Sequence, residues 1–194
     1  MTPGPHRRWL AELGLPSATA AALDAYLDLL AAWSDRVNLT GARTAEERVA
    51  LLVAAVLPLA GLLEPGHLID VGAGNGSPGL VLALIRPDLK VTLLEPRSRR
   101  WAFLLEAGRA AGRPDIRVLR LRHDEYPGPA AATVTVRALS LPLAALAPLV
   151  DASGRVAIFG RPPEPSAGFQ PENAPRLPRG EVHLFRRRDV PRET

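Results

Sequence analysis

The chain has 194 residues, 47% apolar and 23% charged, with a formal net charge of +4. That length carries one domain with a full core and not two, and the absence of cysteine excludes disulfide frameworks, thiolate zinc sites and cysteine nucleophiles, as suits a reducing cytoplasm. No signal-peptide apolar core directly follows Met1–Arg8, and the longest apolar run, Val49–Leu63, falls short of the roughly 20 residues of a membrane span and contains Pro58 and Gly61; a soluble, cytoplasmic chain with no membrane contact is expected.

In chain order, residues 18–37 predict an amphipathic helix. Leu23, Tyr26, Leu27, Leu30, Trp33 and Val37 recur at three- and four-residue steps, Ser17 can cap it, and Asn38-Leu39-Thr40-Gly41 ends it. Thr44 followed three residues later by Glu47 is a capping-box signature, so a second, mostly buried helix should run to Leu63, kinked or interrupted at Pro58. Residues 1–64 thus form an N-terminal helical extension, and residues 65–194 a domain of a different pattern.

From His67 onward, short apolar runs alternate with helical stretches. Strands are predicted at 67–71, 91–95, 116–121, 133–136 and 155–160, and helices at 77–86, 98–111 and 141–150. That alternation implies an α/β fold with a doubly wound, mostly parallel sheet. Residues 161–180, dense in Pro, Gly, Ser and Glu, predict a loop. Residues 181–187 predict a final edge strand, with a frayed end from Arg188.

Arginines supply nearly all the positive charge, Lys90 being the only lysine. Arg97, Arg99, Arg100, Arg109, Arg113, Arg117, Arg120 and Arg122 crowd one segment that holds only Glu106 and Asp115 as acids. Such a basic face suits a polyanion such as RNA; a solvated face with no partner is the plain alternative. The four histidines are scattered and suggest no metal site.

The strongest local signal is His67-Leu-Ile-Asp-Val-Gly-Ala-Gly-Asn-Gly-Ser-Pro-Gly79, a strand ending in glycines before a helix. Glycines there let the backbone turn sharply and approach a ligand. Gly74, Gly76 and Gly79 satisfy the dinucleotide spacing G-x-G-x-x-G, whereas two details favour S-adenosylmethionine. Asp70 stands before the first glycine pair, where a carboxylate can orient the loop or meet the ligand's amino group through water, and Pro78 pre-sets the first helical turn. Glu95, at the end of the second strand, can accept hydrogen bonds from ribose hydroxyls in either kind of site.

Together these residues resemble the bacterial 16S rRNA guanine-N7 methyltransferase family (methyltransferase G, or glucose-inhibited division protein B). The resemblance covers residues 23–160 and rests on Tyr26-Leu-x-Leu-Leu-x-x-Trp33, Asn38-Leu39-Thr40, Ile69-Asp-Val-Gly-x-Gly-x-Gly-x-Pro-Gly79, Leu93-Leu94-Glu95, Arg99-Arg-Trp-Ala-Phe-Leu104 and Arg137-Ala138. It implies a Rossmann-like class I methyltransferase fold, S-adenosylmethionine as cofactor, and 16S rRNA or the small ribosomal subunit as substrate; the sequence is silent on oligomeric state, and a monomer is the default expectation. Cofactor contacts are implied at Asp70, Gly72, Gly74, Gly76, Ser77 and Glu95, adenine-side contacts at His123 and Asp124, and a place beside the methyl-transfer site at Arg137, the catalytic candidate.

The chain departs from the family at several places, among them His123-Asp124, where the family has a small or apolar residue then Glu, and the C-terminus, where the resemblance fades. A typical member has a His-containing Asp-Ser stretch in the second helix, where this chain has Leu51-Leu52-Val53-Ala54-Ala55-Val56. Ser77 replaces an aromatic or apolar residue, and Phe159-Gly160 replaces a Lys-Gly. These departures keep two further readings open, a non-catalytic paralogue that binds S-adenosylmethionine or RNA, and a small-molecule methyltransferase. An NAD-dependent oxidoreductase is disfavoured because no hydride-transfer machinery such as Tyr-x-x-x-Lys is present.

Overall fold

The structure is a computed structural model and describes residues 4–188. Helix α1 (Arg7–Ala11) leads into α2 (Ser17–Ser34), whose Leu23, Tyr26, Leu27 and Leu30 share one face and are fully buried. Two details of α2 correct the sequence reading. Ser17 is the first helical residue rather than its cap, Pro16 standing before it without a capping bond. The helix stops at Ser34, where the hydroxyl donates to the Leu30 carbonyl at 2.7 Å and the N–H groups of Arg36 and Val37 both turn to the Trp33 carbonyl.

The Thr44 capping box forms as predicted: the Glu47 N–H donates to Thr44 Oγ1 at 3.1 Å, and Glu47 Oε2 accepts from the Thr44 N–H at 3.2 Å. The helix it starts is not continuous. It runs as α3 (Ala45–Arg48), widens into a π turn over Val49–Ala54, breaks, and restarts as α4 (Leu57–Ala60) with Pro58 in its first turn. A proline costs nothing there because its missing N–H would be unpaired anyway.

His6, fully buried, ties α1 to α2 and α3. Its Nδ1 lies 2.9 Å from Asp28 Oδ1, and its Nε2 faces Arg48 Nε at 2.9 Å. Arg48 can only donate, so the ring proton sits on Nδ1 and no lone pair is left for a cation. Burial, then Arg48, lowers the His6 pKa.

Seven strands form one sheet: β1 (Gly66–Val71), β2 (Leu89–Leu94), β3 (Arg117–Leu119), β4 (Ala131–Arg137), β5 (Val150–Phe159), β6 (Phe169–Glu172) and β7 (Val182–Arg187). Their order is β3-β2-β1-β4-β5-β7-β6. The first five are parallel, and β7 runs antiparallel to both β5 and β6. Helices α5 (Gly79–Ile85) and α6 (Ser98–Ala110) are the crossovers around β2. Together with α2 they cover one face through Tyr26, Leu30, Leu80, Leu93 and Phe103. The opposite face buries Ile69, Val71, Val134 and Val136 beneath α7 (Leu143–Leu146) and a 3-10 turn over Ala147–Leu149.

Three expectations for this half change. The helix predicted over 141–150 is one short turn plus the 3-10 turn, because Pro148 removes a donor and Val150 already pairs with Ala131 in β5. The stretch 161–180 contains a strand, β6, anchored by buried Phe169; Pro171 is tolerated because β6 is an edge. Consequently β7 is an interior strand and not the edge. The predicted fraying beyond Arg188 lies outside the described residues. Among the described residues no helix is long and apolar enough to cross a membrane.

Candidate functional site

The sheet order reverses at β1 and β4, and in open parallel sheets a crevice forms outside the carboxyl ends at such a point. Here the cleft has a volume of about 410 Å³, within the range of small-ligand sites. The chain segments following β1, β2, β3 and β4 all contribute to its wall.

The glycine loop extends the pairing of β1 with β2: the N–H groups of Gly72 and Ala73 both donate to the Leu94 carbonyl, at 2.9 and 3.0 Å. Gly74 has φ +52°, and a Cβ there would point between Arg100 Nη1, at 3.7 Å, and Glu95 Oε2, at 4.0 Å. Glycine therefore leaves a cradle that any side chain would fill.

The two acids expected near the loop occupy different places. Asp70 is buried beneath it and is not on the cleft wall. Its Oδ2 accepts from the Gly79 N–H at 3.0 Å and its Oδ1 from Thr135 Oγ1 at 2.6 Å. It thereby ties the start of α5, where the glycine loop ends, to β1 and β4. Burial is the largest influence on its carboxyl and pushes the pKa up to about 7, against the opposing Thr135 and Gly79 donors. Glu95 is on the wall, 3% exposed. Its Oε2 accepts from the Gly74 N–H at 3.0 Å and its Oε1 from the Arg97 N–H at 2.8 Å, so one carboxylate ties the loops after β1 and β2 together. Each oxygen retains accepting capacity.

Ser77 and Arg137 meet on the cleft wall. Arg137 Nη1 donates to Ser77 Oγ at 2.8 Å, Ser77 Oγ donates to the Leu52 carbonyl at 2.8 Å, and Arg137 Nη2 donates to the Leu51 carbonyl at 2.9 Å. The guanidinium also lies 5.8 Å from the centroid of the Phe159 ring, the residue standing where a lysine was expected. Burial pulls the Arg137 pKa below the ordinary arginine value.

Of the predicted site residues, Gly72, Gly74, Ser77, Glu95, His123 and Arg137 line the cleft. Besides Asp70, two do not. Gly76 faces the helices, where a Cβ would come within 3.1 Å of Leu80 and 3.3 Å of Tyr26. The exposed Asp124 side chain turns to Arg122, whose Nε is 3.1 Å from its Oδ1.

Sequence reasoning passed over several wall residues. Asn75 donates from Nδ2 to the Leu39 carbonyl at 3.1 Å, and its own carbonyl accepts from Tyr26 Oη at 2.8 Å. Arg100 Nη2 donates to the Asn38 carbonyl at 2.9 Å. The Asn-Leu-Thr motif was the one available hint for this wall. Ala138 has φ +53° directly after Arg137, a strained conformation for a residue with a side chain. It turns Leu139, 43% exposed, over Gly72.

The profile of a family described as rRNA small subunit methyltransferase G matches residues 19–157. Relatives named ribosomal RNA small subunit methyltransferase G include that of Methylobacterium sp., 38% identical over 168 residues (82% of this chain, 79% of the relative). That of Neisseria meningitidis serogroup C is 33% identical over 190 residues (95% and 90%). That of Halorhodospira halophila is 36% identical over 137 residues, and this match spans 71% of the chain but 65% of the relative. Similar solved structures include a SAM-dependent methyltransferase from Aquifex aeolicus, with 19% identity and a TM-score of 0.56 over 72% of this chain and 91% of that one. An RNA methyltransferase from Salinibacter ruber in complex with S-adenosyl-L-homocysteine has 19% identity and a TM-score of 0.55 over 71% and 92%. With these the chain shares the Rossmann-like class I methyltransferase fold.

Proposed function

The chain belongs to the rRNA small subunit methyltransferase G family, and on that premise we propose that its cleft binds S-adenosylmethionine and that the protein methylates N7 of a guanine in 16S rRNA, on the RNA or the small subunit, in the cytoplasm. The observation that carries this reading is the pairing of Glu95 with Gly74 on the cleft wall, beside a cradle that only glycine leaves open.

The residues present fit the cofactor. Glu95 offers lone pairs to ribose hydroxyls, Gly74 leaves room for the methionine part beside Gly72, which Leu139 covers, and His123 borders the place for the adenine. When bound, S-adenosylmethionine supplies an electrophilic methyl group on a sulfonium. Guanine N7 carries a free lone pair and loses no proton on methylation, so the protein needs no general base there. Its task is placement. Arg137 has five N–H donors, of which Ser77 and Leu51 take one each. The others are offered to guanine O6 or to a phosphate.

Titration of the protein with S-adenosylmethionine and with NAD by calorimetry tests the cofactor, and transfer of labelled methyl to unmethylated 30S subunits tests the reaction. Binding of NAD alone, or of neither, removes this reading. A second reading, a paralogue that binds without turnover, is favoured by the engagement of Arg137 with the Leu51 carbonyl; it requires cofactor binding with no transfer.

A further inference from the structure

Next to the cleft, the end of α2, the turn after it and α6 border a second, open hollow of about 380 Å³, lined by Ala32, Trp33, Arg36, Val37 and Arg99. Trp33 is half-buried and packs edge-on against Phe103, with 5.7 Å between ring centroids, which fixes the indole while part of it faces the hollow. Arg36 and Arg99 are exposed, and among the described residues neither forms an ion pair, not even Arg36 with its neighbour Asp35. Trp33 and two exposed arginines without ion pairs thus border one hollow, a combination suited to single-stranded nucleic acid, with a base on the ring and phosphates on the arginines.

Hollow and cleft share one wall. Val37 lines the hollow and Leu39 the cleft, and the Asn38 carbonyl between them is held by Arg100. Arg99 and Arg100, consecutive in α6, serve the hollow and the cleft respectively. Two residues of chain reach at most about 7 Å, so the two openings are neighbours. A guanine placed in the cleft must leave its stack, which also exposes the base beside it.

We propose, resting on the RNA-methylating reading above, that this hollow is a subsite for the single-stranded nucleotide flanking the target guanine. The flanking base stacks on Trp33 and its phosphates pair with Arg36 and Arg99. The subsite selects substrates whose target lies in an unpaired segment.

The test compares Arg36→Gln/Arg99→Gln, Trp33→Phe and Trp33→Leu with wild type, each saturated with S-adenosylmethionine, on protein-free 16S rRNA and on 30S subunits. The double arginine variant is expected to raise the KM for RNA at least tenfold, with kcat within about twofold and cofactor affinity unchanged. The slope of log affinity against log salt should fall by about 1.4, the value for two single-strand phosphates. Trp33→Phe, which keeps a stacking face, should stay closer to wild type than Trp33→Leu; if Trp33→Leu fails to fold, the arginine variant decides alone. An unchanged KM and salt slope in that variant overturns the subsite, and so does a defect seen on 30S subunits but not on protein-free RNA, which would assign the hollow to a ribosomal protein. Wild-type protein that binds cofactor but neither binds nor methylates RNA overturns the functional reading and the subsite together.

Discussion

Arg137 donates to the Leu51 carbonyl at 2.9 Å, from 86 residues further along the chain. The acceptor is free because the π turn ends just beyond it: the N–H groups of Ala55 and Val56 both turn back to the Val53 carbonyl. The last carbonyls of a helix need donors from elsewhere, and Leu51 and Leu52 find theirs in Arg137 and Ser77. The apolar segment 51–56 therefore meets the cleft arginine through its backbone, and the side-chain hydrogen-bond partner of Arg137 in this junction is Ser77, on the glycine loop.

Ser77→Ala removes the central hydroxyl of that junction. The buried Leu52 carbonyl then lacks a donor and Arg137 Nη1 loses its acceptor, at a cost of about 1–3 kcal/mol. Urea denaturation should show a lower midpoint with an unchanged slope, and methyl transfer should fall more than cofactor affinity. An unshifted midpoint would mean that water replaces the hydroxyl at no cost.

Tyr26→Phe leaves the packing of a fully buried ring but takes the donor from the Asn75 carbonyl. The expected loss is about 1 kcal/mol of stability, together with a few-fold weaker affinity for S-adenosylmethionine, because the loop loses its tie to α2. Equal cofactor affinity in variant and wild type would show that the loop holds its shape without α2.

Gly74→Asp places a carboxylate in the cradle, 4.0 Å from Glu95 at its Cβ. Aspartate is among the residues that best tolerate left-handed backbone, so the thermal midpoint should fall only modestly, from that backbone and the neighbouring Glu95 charge, while calorimetry finds no cofactor binding. Retained affinity would remove the proposed site. Gly79→Ala should do the reverse and destabilise the fold, since its Cβ would lie 2.5 Å from Asp70 Cβ and 2.7 Å from Leu93.

Asp70 should make stability depend on pH. Its carboxyl is pushed up to about 7 by burial, whereas the unfolded chain keeps the ordinary value near 4. Below pH 4 both states are protonated. Between about pH 4 and 7 the unfolded state has lost the proton and the folded state retains it, so stability falls as pH rises through that window and levels off above it. The stability difference between wild type and Asp70→Asn isolates this contribution, and chemical denaturation at pH 4, 5.5 and 7.5 measures it. A flat difference would show that Thr135, Gly79 and the nearby Arg137 charge hold the ionised form despite burial.

The sequence by itself determined what local physics decides. The alternation of strands and helices follows from apolar periodicity, the capping box from Thr44 and Glu47, the interruption of the second helix from Pro58, and the crevice loop from the glycines after β1. What depends on partners distant in the chain was decided by the tertiary structure. Strand β6 has little apolar pattern of its own and exists because β7 pairs with it, which moves β7 to the interior. Asp70 and Glu95 both close a strand before a loop, yet one is buried beneath the loop and the other stands on the cleft wall, a difference that the sheet and its packed helix create. The acceptors of Arg137 and Ser77 left no trace in the sequence at all. They are backbone carbonyls, which every residue carries, and only the π turn and the docking of the N-terminal helices against the sheet select which of them are free.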